Sequence, residues 1–140
     1  MTDSVRQPDL SIYADFAGLP RETIHTELTT QYLVNGFVYS NPELTTQIGA
    51  ISSSATRFNL TGIVVLDHVM ELPFGTILYQ LTDKASKIFN PDSFYFKLNS
   101  LNVFTIMSGN GHFIGSKGYV TYIVGDNPAL RRIDFWFDKQ

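Results

Sequence analysis

Residues 108–122 read SGNGHFIGSKGYVTY, and the meaning of their four glycines decides the fold. Gly109, Gly111, Gly115 and Gly118 fall within ten residues. A phosphate-cradling loop needs Gly-x-x-x-x-Gly-Lys-Ser/Thr between a strand and a helix. Here the spacing differs, and the β-branched, aromatic run 119–124 that follows reads as strand. A dinucleotide fingerprint fails on the same ground. The glycines read as structural instead: a tight turn at Ser108–Gly111 needs positive φ, and Gly115 and Gly118 mark a bend or a close backbone approach.

The flanking chain has the same texture. TIHTELTTQYLVNGFVY (23–39), QIGAISSSATRF (47–58), GIVVLDHVMEL (62–72), FGTILYQLT (74–82), SFYFKLNS (93–100), NVFTIMS (102–108), KGYVTYIV (117–124) and RRIDFWFD (131–138) each read as strand. Asn35-Gly36 signals a turn or bulge inside the first of these. Turn residues punctuate the rest at 59–62, Pro73, 90–92, 108–111 and 125–128. Regular short strands without a long helix predict an antiparallel sandwich or barrel over residues 23–140. Residues 1–22 are polar, carry Pro8 and Pro20, and hold one apolar cluster of Leu10, Ile12, Tyr13 and Phe16. The spacing of Tyr13, Phe16 and Ala17 allows a helical turn or two, so this stretch is expected as an N-terminal arm or lid.

Composition narrows the functions. With 140 residues the chain makes one domain. Aromatics reach 14%, with 11 Phe and 7 Tyr, which suits pleated surfaces. A net charge of -3, with no dense basic patch, argues against nucleic acid. No cysteine is present, so disulfides, Cys-ligated metals and a Cys nucleophile are excluded. No apolar stretch is long enough to span a membrane, and MTDSVRQPDLSIYADF lacks the pattern of a secretion signal; a cytoplasmic protein is expected. The NLT at 59–61 then reads as a turn, not a glycosylation site. His25, His68 and His112 form no pair at metal-ligand spacing, so neither metal nor cofactor is expected. The serines of ISSSATRF lack a nucleophile elbow.

Strand parity supplies the candidate site. In GIVVLDHVM, Ile63, Val65 and Val69 make one apolar face and Val64, Leu66 and Met70 the other. A wall apolar on both sides predicts a homo-oligomer, a dimer or trimer, with a small hydrophobic substrate in the lumen. Asp67 and His68 interrupt this run. One of them points inward if the strand is central, as an ionisable candidate; both sit at a rim if the sheet turns there. Ile77, Tyr79 and Leu81 read inward, and Tyr79 either packs the core or donates a hydrogen bond to a ligand carbonyl. Phe94, Phe96 and Leu98 also read inward, as do Ile133, Phe135 and Phe137, which leaves Arg132, Asp134, Trp136 and Asp138 for solvent. Tyr79, Asp67 and His68 are therefore the catalytic candidates. Phe96, Met107, Tyr119, Phe135 and Phe137 are the candidates for substrate contact.

The glycine-rich stretch also resembles the Gly-Gly-Thr-Gly-x-Phe-x-Gly-Ala-x-Gly segment of dirigent proteins and allene oxide cyclases. Gly109, Gly111, Phe113, Gly115 and Gly118 match it, and Asn110 stands where Ser or Thr is usual. SFYFKLNS lacks the glycines of the corresponding family strand. The short chain is similar to the compact bacterial spirotetronate and spirotetramate [4+2] cyclases of that superfamily. The resemblance implies an all-β, eight-stranded antiparallel barrel with a short N-terminal arm. It further implies a cofactor-free cyclase or isomerase, Diels-Alderase-like, that folds an unsaturated substrate for stereoselective ring closure. A non-catalytic carrier or a dirigent-type orienting protein is the alternative.

Overall fold

The structure, a computed structural model, describes residues 6–127 and 130–138. Its ring strands are β1 (Leu10–Asp15), β3 (Thr29–Tyr39), β4 (Gln47–Phe58), β5 (Ile63–Leu72), β6 (Gly75–Lys84), β7 (Ser100–Gly109), β8 (Gly118–Val124) and β9 (Leu130–Phe137). Each pairs antiparallel with its neighbours, in the order β1-β9-β8-β7-β6-β5-β4-β3, and the β1–β3 pairing closes the ring. The barrel expected from the sequence is therefore present: eight strands, closed and antiparallel. A ninth strand, β2 (Arg21–His25), lies outside the ring against β3. Among the described residues the helical content is a short α1 (Ala85–Ile88) and one 3-10 turn at Gly111–Phe113.

Alternation explains the wall. Along β5, Val64, Leu66, His68, Met70 and Leu72 are buried, while Ile63, Val65, Asp67, Val69 and Glu71 face outward. Inward residues of β6, β7, β8 and β9 do the same, so Ile77, Tyr79, Phe104, Val120, Tyr122, Ile133 and Phe135 fill one core. Burying each large side chain contributes about 1.5–3 kcal/mol, and closure leaves the ring no raw edge. At Gly118 φ is 135°, and a Cβ there would overlap the carbonyl oxygen of Trp136 on β9. The glycine stretch thus lets β8 approach β9 closely.

Three expectations are corrected. Residues 1–5 of the expected arm lie outside the described residues, residues 10–15 belong to the barrel wall instead of an arm, and Tyr13, Phe16 and Ala17 form no helical turn. Leu10–Asp15 is a ring strand between β9 and β3, with Ile12 and Ala14 fully buried, so alternation outweighs the helical spacing. Asn35-Gly36 does not break its strand, because β3 pairs with β4 straight through it. Gly36 is needed for another reason: a Cβ there would lie 2.7 Å from Cδ1 of Phe16. The hairpin turns instead at Thr26–Thr29. SFYFKLNS is not a ring strand either. All of it but Ser100, which opens β7, lies in the segment 85–99 that joins β6 to β7 and holds one isolated bridge, Phe89 to Phe96. Phe94 and Phe96 pack inward as aromatic anchors without a strand to ladder on, while Tyr95 and Leu98 are exposed.

Candidate functional site

The seam between β1 and β3 opens one end of the barrel. β1 pairs with β3 only at Phe37, Val38 and Tyr39, and after Asp15 the chain turns away. β2 takes over at residues 30–34 of β3 but belongs to no other pairing. β9 begins opposite Asp15, so no strand continues the wall beyond that level. The segment 85–99 crosses the resulting mouth.

A cavity of about 280 Å³ lies under this crossing. Tyr32 and Val34 of β3, Ser53 and Ala55 of β4, Leu66 of β5 and Tyr122 of β8 form its walls and floor. The crossing segment contributes Phe89, Phe94, Tyr95 and Phe96, the β1–β2 turn contributes Phe16 and Ala17, and Arg21 and Arg131 complete the lining. Phe94 stacks on Tyr32 with centroids 5.3 Å apart and planes within 8°. The guanidinium of Arg57 lies 5.4 Å from the centre of the same ring. These contacts pin the crossing segment to the ring. Phe96 packs on Tyr122 at 4.9 Å and on Phe89 at 5.1 Å.

Polar groups meet at the floor. Arg131 sits on the inward face of β9 at 9% exposure. Burial pushes the Tyr122 phenol above its ordinary range, while the positive charge of Arg131 and a hydrogen bond from it oppose that shift. One layer deeper, His68 and Tyr79 are register partners across β5 and β6, and Nδ1 of His68 lies 3.3 Å from the Tyr79 hydroxyl. The imidazole is boxed by Phe104 at 4.8 Å and Tyr122 at 5.1 Å. Burial lowers its pKa to about 3, so it is neutral at ordinary pH, and burial also holds Tyr79 well above the usual phenol value.

The sequence-derived candidates divide by place. Tyr79 and His68 come together beneath the floor but do not line the cavity. Asp67 faces outward and accepts a 2.8 Å hydrogen bond from Nε2 of Gln80. Phe96 lines the cavity. Phe135 packs against Tyr79 in the closed core, and Phe137 lies beside Phe113 at the far end. Met107 and Tyr119 are on the outer face, Tyr119 stacked on Trp136. Asp134 corrects the expectation that its face meets solvent: it is 3% exposed, accepts from Ser11 Oγ at 2.7 Å and pairs with Arg132 Nε at 3.1 Å. Arg131, Tyr122, Tyr32 and Phe89 were missed. Arg131 carried a signal, being in phase with Ile133 and Phe135.

Among the described residues no three His, Asp or Glu side chains gather in one place, and no helix is long and apolar enough to cross a membrane.

No protein-family model matches the chain, and no curated protein does. Solved structures do. Pyocyanin demethylase superposes with a TM-score of 0.62 over 89% of this chain and 97% of its own, at 11% identity. AbnU, an exo-specific intermolecular Diels-Alderase, superposes with a TM-score of 0.57 over 89% of this chain and 93% of its own, at 9% identity. The chain has the barrel fold of these two enzymes.

Proposed function

We propose that this barrel is a cyclase whose mouth cavity binds a flexible, unsaturated and largely apolar substrate and closes a ring on it with one stereochemistry. The observation that carries the reading is the convergence of Tyr32, Phe89, Phe94, Phe96 and Tyr122 on one cavity whose lining also holds Arg21 and Arg131. The likeness to a Diels-Alderase supports a [4+2] cycloaddition as the reaction class. The likeness to a demethylase shows that the fold alone does not choose the chemistry.

The mechanism asks little of acids and bases. Aromatic walls hold the reacting carbons in contact, and such pre-orientation is worth about 7–11 kcal/mol at best. The Tyr122 hydroxyl, held by Arg131, donates to a substrate carbonyl and draws electron density from the bond that reacts. Neutral His68 and Tyr79 form a rigid polar layer that supports the floor.

Incubating purified protein with a linear triene bearing an activated alkene tests the reading. One diastereomer should form faster than in buffer, and Tyr122→Phe should slow it by about tenfold to a hundredfold. Saturable binding with the buffer's rate and product ratio would instead make the chain a carrier.

A further inference from the structure

The charge around the mouth does not match the charge of the chain. The whole carries -3, yet the described cavity lining holds two arginines and no carboxylate. Arg57 leans over Phe94 at the rim, so three of the chain's five arginines surround this one opening. They come from separate elements: Arg21 from β2, Arg57 from β4 and Arg131 from β9. Arg21 reaches the lumen side because it is the register partner of inward-facing Val34, and its Nη2 donates to the Phe16 carbonyl at 3.2 Å. Arg131 stands among aromatic rings, where a charge acts through a lower dielectric than at the surface.

A guanidinium offers a planar fork of donors that matches a pair of anionic oxygens, and it is less strongly hydrated than an ammonium. Two forks lining one apolar cavity select a ligand with a negative head and an unsaturated body. We propose that the substrate carries a delocalised anionic oxygen group, a carboxylate or enolate, seated between Arg131 and Arg21. Its apolar part runs beneath Phe94 and Phe96 against Tyr122. This rests on the mouth cavity being the binding site, and it adds the substrate's charge and direction of entry.

Calorimetric titration of the full chain with 2-naphthoate and with its neutral counterpart 2-naphthamide separates the two claims. 2-Naphthoate should bind about tenfold or more tightly than the amide, the step that one charge-assisted contact of ~1.4 kcal/mol produces. Arg21→Gln should erase most of that preference and leave amide binding alone, and Arg131→Gln should erase it too while also weakening the amide, because Arg131 holds the Tyr122 hydroxyl. Arg21 is exposed, so its variant carries the test if Arg131→Gln fails to fold. Phe94→Ala should weaken both probes together. Equal affinity for the two probes, or a preference that survives Arg21→Gln, overturns the anionic head while leaving the cavity reading intact. Binding of neither probe overturns both.

Discussion

His68 and Tyr79 occupy directly opposed positions on β5 and β6 and meet side by side inside the barrel, Nδ1 to hydroxyl at 3.3 Å. Folding keeps this imidazole neutral down to about pH 3, whereas in the unfolded chain it takes a proton near pH 6.5. Between those values the unfolded state binds more protons, so stability falls as pH drops, by about 1.4 kcal/mol per unit from this group. Above pH 6.5 the contribution is constant. Urea unfolding from pH 4 to 8 on the protein and on His68→Phe should give a difference curve that slopes below pH 6.5 and is flat above it. Parallel curves would mean that His68 is not held neutral.

Tyr79→Phe isolates the hydroxyl. The change leaves a buried imidazole nitrogen short of a partner, at a cost of about 1–3 kcal/mol. Because Tyr79 lies below the cavity floor, binding of an aromatic probe should change less than twofold. A large loss of binding with unchanged stability, measured by titration and thermal melting, would place the hydroxyl in the site.

Phe94→Ala and Phe135→Ala should behave oppositely. Phe94 is half-buried at the mouth, so its loss unstacks Tyr32 and Arg57 and weakens binding by about tenfold at modest cost in stability. Phe135 is fully buried against Tyr79, so its loss costs about 3–5 kcal/mol. Paired melting and titration experiments compare the two.

Asp134→Ala should destabilise by about 1–3 kcal/mol, because the carboxylate is buried and holds Ser11 of β1 to β9. Asp134→Asn should recover part of that loss. Chemical denaturation of the two variants measures this, and a silent Asp134→Ala would show that the Ser11 contact is dispensable.

Assembly is the remaining test. Leu101, Val103, Met107 and Tyr119 form a contiguous exposed apolar patch on the outer face of β7 and β8. Light scattering should report at least twice the 15.8 kDa of one chain, and Val103→Glu should return the monomer. A monomer at micromolar concentration would contradict this.

Strand identity was legible because two-residue alternation survives in local sequence. It placed Tyr79 and Phe135 inward, and both are buried; it left Asp67 and His68 undecided, and the structure buries His68 and turns Asp67 outward. The site was less legible, since the cavity exists only where β1 leaves β3 and Phe94 fills in. SFYFKLNS alternates like a strand because Phe94 and Phe96 turn toward the lumen while Tyr95 is exposed, although its pairing stops at one bridge with Phe89. Leu10–Asp15 was obscured by its polar surroundings and by a chance helical spacing. Asp134 was misplaced because parity reports a side chain's face, not whether Ser11 and Arg132 cover it.

β2 and the crossing segment frame the mouth while adding no rung to the closed ring. Lengthening, trimming or recharging either one alters the aperture without unzipping any pair of wall strands. Ile88 and Phe89 keep the crossing segment tied to the core, so the stretches free to vary are β2 and the exposed positions around Tyr95 and Leu98. Descendants of this barrel can reshape the entrance while inheriting the ring of eight strands intact.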